Sequence, residues 1–295
     1  MFVYKISFVL VNYCGAFDTI VCIKSLAKTY GDIIKEVVVI DNNSPHAGVY
    51  DIIKAFDCDK YSSKFENLSY SYFTIENHTH IYVVKNMRND GFGSANNIGI
   101  RFVKFLKSDV CVLLNNDTLT PSFFVSNIIS FLKEKDYKCA FSVISRYFSE
   151  PTKIDSEGFG YLDLCTGRSS HYKHYTYKYL VGSCIIMNFV QSIPLFDENF
   201  FLYNEDADYS LLLQKAGYVL LFDSNNYFLH KVSASTSFNP CIERIKLRSL
   251  IYFMIKHASH MQFVIFCITR CIYYLIHLRF SYLLFFLKNV WSLQK

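Results

Sequence analysis

Three acids fall almost together at Glu205, Asp206 and Asp208, directly after the apolar run Phe200-Phe201-Leu202-Tyr203. Leu211, Leu212, Lys215 and Ala216 then lie at helical spacing, and Gly217 stands where a glycine stops a helix. Acids in a first helical turn complement the macrodipole. A carboxylate held by a hydrophobic wall at the mouth of a cleft acts instead as a general base. The local pattern leaves both readings open. Asp117 ends the string Asn115-Asn116-Asp117 after a strand-like run. It either caps the helix expected to open at Pro121 or holds a divalent cation against a diphosphate. His230 follows Tyr227-Phe228-Leu229 and is either a hydrogen-bonded structural histidine or a metal ligand.

The elements that must position these groups have a regular order. Ile6–Val11 is continuously apolar, as a strand covered on both faces should be, and it ends at Asn12. Asp18–Tyr30 has helical periodicity, and Glu36–Ile40 is a second buried strand that stops at Asp41-Asn42-Asn43-Ser44. Strand, helix and strand in this order predict a parallel βαβ unit, whose ligands bind beyond the strand C-termini. Residues 57–80 show little periodicity and read as an insertion or long loop. Ile81–Val84 is a third strand, followed by the loop Asn86–Gly99 and a helix to about Leu106. That loop has small residues at a helix start, but Asn96 stands where a dinucleotide fingerprint needs its third glycine. Asp109–Leu114 is a fourth buried strand, Val181–Met187 another, and Val219–Phe222 a short one.

The chain has 295 residues, 52% hydrophobic and 19% charged, which supports a sizeable core and excludes disorder. A net charge of +5 without an arginine-rich tract argues against nucleic acid. The ten cysteines form no C-x-x-C pair and read as reduced residues of a cytosolic protein. From Cys241 onward the sequence is helical and basic, and Met261–Leu287 is densely apolar but interrupted by Arg270, His277 and Arg279. No uncharged run reaches the ~20 residues that cross a bilayer. On one helix, Arg270, His277, Ser281 and Lys288 would form a narrow polar stripe. The apolar remainder suits either packing on the body or a membrane interface through residues 261–291.

Six segments occur in order: SFVLVNY, VVVIDNNS, NDGFGSANNIGI, LLNNDT, VGSCIIM and FDENFFLYNEDADYSLLLQKAGY, with His230 beyond. Together they resemble the inverting glycosyltransferases of family 2, over about residues 5–256. Within that family the chain is most similar to rhamnosyltransferase-type and galactofuranosyltransferase-type members that build bacterial surface polysaccharides. The resemblance implies an α/β GT-A fold, a mostly parallel sheet flanked by helices. Residues 1–118 would bind the nucleotide sugar, 119–240 the acceptor, and 241–295 would form C-terminal amphipathic helices.

The same resemblance assigns roles. Asn12, Asp41, Asn43, Asn86, Asn89, Gly91, Asn96 and Asn116 would contact the donor, a UDP- or dTDP-sugar. Asp117 holds the last position of a D-x-D signature reduced here to Asn115-Asn116-Asp117. With His230 it would bind Mg2+ or Mn2+. Asp206 matches the catalytic base, beside Glu205, and Tyr203 and Asp208 would face a glycan or lipid-linked acceptor at the inner face of the cell membrane. Two rivals remain: another sugar-nucleotide enzyme such as a nucleotidyltransferase, and a GT-A-like binding or assembly subunit without catalysis. The first would carry a glycine- and basic-rich loop after strand one, and Val11–Phe17 has neither Lys nor Arg. The thinned metal signature keeps the second open.

Overall fold

Where both faces of a strand are covered, apolar residues need not alternate, and Lys5–Asn12 (β1) meets that condition with Ile6–Leu10 all buried. The computed structural model describes residues 4–30, 33–56, 62–75, 79–171, 175, 177–231 and 240–293. Ala16–Ala27 (α1) carries the chain from β1 to Ile34–Asp41 (β2). Val49–Lys54 (α2) precedes a hairpin of Ser62–Phe65 (β3) and Leu68–Ile75 (β4). Thr79–Lys85 (β5), Phe92–Phe105 (α3) and Val110–Leu114 (β6) follow. Thr118–Leu119 (β7) and Phe124–Leu132 (α4) lead to Cys139–Tyr147 (β8). Four short strands come next: Ile154–Ser156 (β9), Phe159–Leu162 (β10), Ser169–Ser170 (β11) and Tyr177–Leu180 (β12). Cys184–Asn188 (β13), Glu205–Lys215 (α5) and Val219–His230 (β14) precede three helices, Pro240–His257 (α6), His260–Ile276 (α7) and Phe280–Leu293 (α8).

The main sheet runs β3-β4-β5-β2-β1-β6-β13-β8-β14-β7, with β9 on β8. Its centre, β5-β2-β1-β6, is parallel, as the βαβ reading predicts. β13 enters antiparallel between β6 and β8, so the sheet is mixed. A small sheet, β11-β10-β12, stands apart. One core layer packs Phe8, Val37, Ile128 and Phe141 under α1 and α4. A second packs Val9, Val38, Phe102 and Tyr209 under α3 and α5. Gly99 lets α3 sit close to β1, since a Cβ there would lie 2.2 Å from a methyl of Val9. The buried Lys35 donates its ammonium hydrogens to the carbonyls of Ala27 and Thr29, where the helix dipole of α1 favours a cation.

In the sheet and its flanking helices, three expectations are corrected. Residues 62–75 are not a loop; β4 is a full antiparallel partner of β5, and Tyr70 and Phe65 pack on Phe102 of α3. Residues 57–61 and 76–78 of that stretch lie outside the described residues. The helix after Pro121 begins at Phe124, because residues 122 and 123 form a turn. β14 continues to His230 rather than ending at Phe222, through a register shift between Asp223 and Tyr227. Asn226 anchors the shift by donating to the carbonyl of Phe124.

A third core layer joins α6, α7 and α8 to the body through Phe253, Phe266, Tyr274 and Phe286. The α7 start is a capping box: Ser259 accepts from the Gln262 N–H, and Gln262 accepts from the Ser259 N–H. The expected single polar stripe does not exist, because the chain turns at His277–Arg279 with Leu278 left-handed, and puts Arg270 and Lys288 on different helices. No described helix is long and apolar enough to cross a membrane. Described cysteines form no disulfide among themselves, and burial pushes the thiols of Cys22 and Cys111 up to about 12.

Gly91, at φ 100°, is wedged against the next loop: a Cβ would stand 2.1 Å from the Phe201 carbonyl oxygen, and the Phe92 N–H donates to that same oxygen. Replacing Gly91 with Ala therefore combines a left-handed backbone with a backbone collision. Urea unfolding of Gly91→Ala should show a loss of about 2 kcal/mol or more. A loss under about 0.5 kcal/mol would mean that this loop contact is dispensable.

Candidate active site

The carboxyl edge of the parallel strands ends in side-chain amides and acids. β1 and β2 are in register so that Asn12 stands beside Asp41. Asn12 Nδ2 donates to Asp41 Oδ1 at 2.7 Å, and Ser44 Oγ donates to the same oxygen at 2.6 Å. Asn12 Oδ1 accepts from Thr19 Oγ1, which in turn accepts from Asn116 Nδ2 at 2.8 Å. One hydrogen-bonded chain thus joins Asp41, Asn12, Thr19 and Asn116, and leads to Asp117. The neighbouring loop is tied by amides: Asn42 donates to Asn89, and Asn86 donates to Asn42.

Asp117 meets His230 because β7 starts one residue after Asp117 and pairs Thr118 with His230. His230 Nε2 lies 3.2 Å from Asp117 Oδ1, and Nδ1 lies 3.5 Å from Asp155 Oδ2. Asp155 is oriented by a hydrogen bond from Ser145 Oγ. Burial alone would lower the imidazole pKa, but the two carboxylates dominate and raise it from 6.5 to about 9. Desolvation opposes ionisation of Asp155, yet His230 and Ser145 hold its pKa below the usual value.

Glu205 and Asp206 open α5, and the two residues before them set their direction. Tyr203 and Asn204 are both left-handed, at φ 69° and 62°, a conformation that a tyrosine seldom takes. The kink turns the first helical turn towards Gly182, whose N–H donates to Asp206 Oδ2 at 3.1 Å. A Cβ at Gly182 would come 3.1 Å from Cβ of Asp206, so glycine permits the approach. β12 secures the helix: Tyr177 donates to the carbonyl of Ala207, and Ser210 Oγ accepts from the Leu180 N–H. Burial and the adjacent Asp206 carboxylate push Glu205 up to about 8. Burial raises Asp206 too, against hydrogen bonds from the N–H groups of Gly182 and Ala207 that pull it down.

A cavity of about 720 Å³ joins these groups. Asp117, His230, Asn115, Tyr203, Glu205 and Asp206 all line it, with Gly182 and Ser183 between them. Asp117, Asp206 and His230 thus share one space although up to 113 residues separate them in sequence. Asn12, Asp41, Asn86 and Asn89 do not line the cavity; they belong to the adjoining amide cluster. Asn43 is exposed and left-handed in the same loop. Asn96 is buried in α3 and donates to the Phe92 carbonyl, and Gly91 is spent on the Phe201 contact, so neither presents itself to a ligand. Asp208 also departs from expectation. It is 1% exposed, accepts from His257 Nε2 at 2.6 Å and pairs with Lys256, so it locks α5 to α6 instead of facing an acceptor. Asp155, Gly182 and the α7–α8 residues of the cavity wall were invisible as site residues in the sequence.

Asp117 and His230 are the groups able to hold a divalent cation. The donor chemistry fits: one carboxylate oxygen and one imidazole nitrogen converge, with Asp155 on the second ring nitrogen in the manner of carboxylate–histidine–metal sites. Among the described residues no three His, Cys, Asp or Glu side chains gather for a metal. The protein would supply two ligands and leave the remaining positions to water or substrate phosphate, the usual arrangement for Mg2+.

Glu205 Oε2 is buried without a hydrogen-bond partner. Its folded pKa of about 8 lies above the ordinary 4.5, so the folded state holds the proton more tightly. Stability from this group is complete below pH 4.5 and is lost as pH rises through about 8. Glu205→Gln should therefore melt at nearly the wild-type temperature near pH 4.5 and a few degrees higher above pH 8. A pH-independent difference in melting temperature would refute the burial of this charge.

Comparison with known proteins agrees with the fold. The model of "Glycosyl transferase family 2" matches residues 18–190, more than half of the chain. No curated protein matches the sequence. Among solved structures, S. aureus TarS superposes with a TM-score of 0.53 at 15% identity over 92% of this chain and 43% of that one. The chain thus spans less than half of that TarS chain. The structure of TarS 1-349 in complex with UDP gives 0.53 at 14% identity, over 92% of this chain and 72% of that one. The mannosyltransferase PcManGT from Pyrobaculum calidifontis, in complex with GDP-Man and Mn2+, gives 0.57 at 10% identity, over 88% and 66%. At such identities the likeness is one of fold, a mixed α/β sheet of GT-A type with added C-terminal helices. On the strength of the family match, the chain belongs to glycosyl transferase family 2.

Proposed function

We propose that this family 2 glycosyltransferase is an inverting, metal-dependent enzyme. It transfers a sugar from a UDP- or dTDP-sugar to a hydroxyl of a glycan or lipid-linked acceptor in bacterial surface polysaccharide synthesis. The observation that carries the reading is the single cavity shared by the Asp117–His230 pair and the Glu205–Asp206 pair. The UDP and GDP-Man held by the fold neighbours support a nucleotide-diphosphate donor. Residues 1–118 form the donor half in this reading, 119–240 the acceptor half and 241–295 an accessory helical segment.

The chemistry follows from the residue types. A cation on Asp117 and His230, Mg2+ or Mn2+, would neutralise charge developing on the leaving diphosphate. The Asn12–Asp41 cluster, at the adjoining strand ends, is placed to hold base and ribose. Asp206 takes the proton from the attacking acceptor hydroxyl. Its raised pKa makes it a better base than an exposed aspartate, at the cost of needing a higher pH to ionise. A single displacement inverts the anomeric centre and needs no protein nucleophile. Glu205, more buried than its neighbour, is held protonated by burial and by the Asp206 carboxylate beside it. Tyr203 borders the acceptor end.

The outer surface of the C-terminal helices supports a peripheral place on the inner face of the cell membrane. Met261, Ile268, Ile272 and Ile276 of α7 are exposed at helical spacing, as are Phe280, Leu284, Leu287 and Trp291 of α8. Residues 244–295 contain eight Lys or Arg and no Asp or Glu, which suits anionic headgroups.

Asp206→Asn should lower transfer by a factor of about 10²–10⁴ while sugar-nucleotide binding, followed by thermal shift, persists. Near-wild-type turnover would remove Asp206 as the base. EDTA should abolish activity and Mn2+ restore it, and restoration should weaken in His230→Ala; full activity in EDTA would sink the metal assignment. The protein should sediment with phosphatidylglycerol vesicles but not with phosphatidylcholine vesicles, and Ile276→Asp with Leu284→Asp should release it. Equal behaviour with both lipids, or a dimer that these changes dissociate, would assign the apolar face elsewhere.

A further inference from the structure

The cavity that holds the catalytic acids has a cationic part that the transfer chemistry above leaves unused. Lys246 of α6, Arg270 of α7 and Arg279 of the α7–α8 turn line it, together with Tyr273, Tyr274 and Tyr282. Arg270 Nη2 donates to the carbonyl of Gly167, which fixes the guanidinium in place. Its Nε is buried without a hydrogen-bond partner, and so is the hydroxyl of Tyr282. Neither Arg270 nor Arg279 makes a salt bridge among the described residues, whereas Lys246 is paired with Glu243. Buried donors left open beside a cavity are costly unless something fills them, because an unmet polar group forfeits its hydration.

We propose that this end of the cavity is an acceptor subsite for a phosphate group, so that the acceptor is a phosphate or diphosphate monoester carrying the reactive hydroxyl. The inference rests on the transferase reading above. Two fixed or nearby guanidinium groups and a phenol are the donor set that a tetrahedral oxyanion needs, and arginine suits it through paired N–H groups. Charge also gives orientation. The basic α6–α8 wall attracts an anion, so the acceptor's neutral hydroxyl is the part left to face Asp206. The volume of about 720 Å³ accommodates a donor sugar and a substituted phosphate together. The phosphate can belong to a lipid or to a soluble glycan, and the same subsite chemistry serves both.

The test uses hexyl phosphate, the neutral hexyl glucoside and glucose 1-phosphate as probes, titrated calorimetrically into the full chain in EDTA. EDTA keeps a cation from drawing phosphate to Asp117 and His230. Hexyl phosphate should bind at least about tenfold more tightly than hexyl glucoside. Arg279→Gln and Arg270→Gln should each remove most of that preference, and Asp117→Asn should leave it intact. Arg279 is exposed, so its variant stays folded even if loss of the half-buried Arg270 destabilises the chain; thermal melts check both. Glucose 1-phosphate binding as tightly as hexyl phosphate identifies a soluble phosphorylated acceptor, and weaker binding a lipid one. Equal affinity for hexyl glucoside, or a preference unchanged in both arginine variants, overturns the subsite. A preference lost in Asp117→Asn alone overturns it too, by placing the phosphate at the donor end. A wild-type chain that binds no sugar nucleotide would defeat the transferase reading separately, since the alkyl phosphate measurement needs no donor.

Discussion

The contact between the first turn of α5 and Gly182 is the constraint on which the arrangement turns. It holds two adjacent carboxyl groups in a largely buried wall, where ionisation is unfavourable for both and the Asp206 carboxylate further opposes ionisation of Glu205. Such a pair does not remain in place by its own energetics. Two left-handed residues aim it, β12 grips the helix behind it, and Asp208 binds α5 to α6 through His257 and Lys256. Buried Asp208 is met by the Lys256 ammonium and by His257 Nε2, so that carboxyl group ties the scaffold together, while Glu205 and Asp206 make no salt bridge among the described residues. The contrast between three acids within four positions distinguishes anchoring from chemistry better than their spacing does.

The two sides of the cavity are built by different means. On the sheet side, regular strand register places Asn12 beside Asp41, and ladder pairing of β7 with β14 brings His230 to Asp117. These positions are set by backbone hydrogen bonds and tolerate little displacement. On the other side, helices α6 to α8 present side chains from a separate core layer. Such a layer can vary in sequence without disturbing the sheet, and it is where a fold shared by many enzymes would adjust to its own acceptor.

The parallel centre of the sheet was legible because both faces of its strands are covered, so hydrophobicity runs unbroken and marks strands without ambiguity. The hairpin β3–β4 was not legible, since its half-exposed mixture of serine and tyrosine has no strong period. The extension of β14 was hidden by the irregularity at Asp223–Tyr227, where polar residues interrupt the ladder. The convergence of Asp117, Asp206 and His230 was readable through motif order. Asp155 was not, because a single acid in an irregular stretch carries no spacing signal until the fold sets it against an imidazole. Gly91 and Asn96 illustrate a related difficulty: a small or amide residue beside a site looks alike in sequence whether it serves backbone packing or a ligand. The helical tail was visible as apolar and basic, but the turn at His277–Arg279 was not, as no glycine or proline announces it.

The buried thiols have a practical corollary. Sulfur reacts with electrophiles as its anion, and Cys22 and Cys111 scarcely form one at physiological pH. Cys184, behind the cavity wall, is likewise pushed up by burial. Cys241, by contrast, is exposed at the start of α6. Among the described cysteines a maleimide fluorophore would find it first, providing an optical reporter on the helical segment.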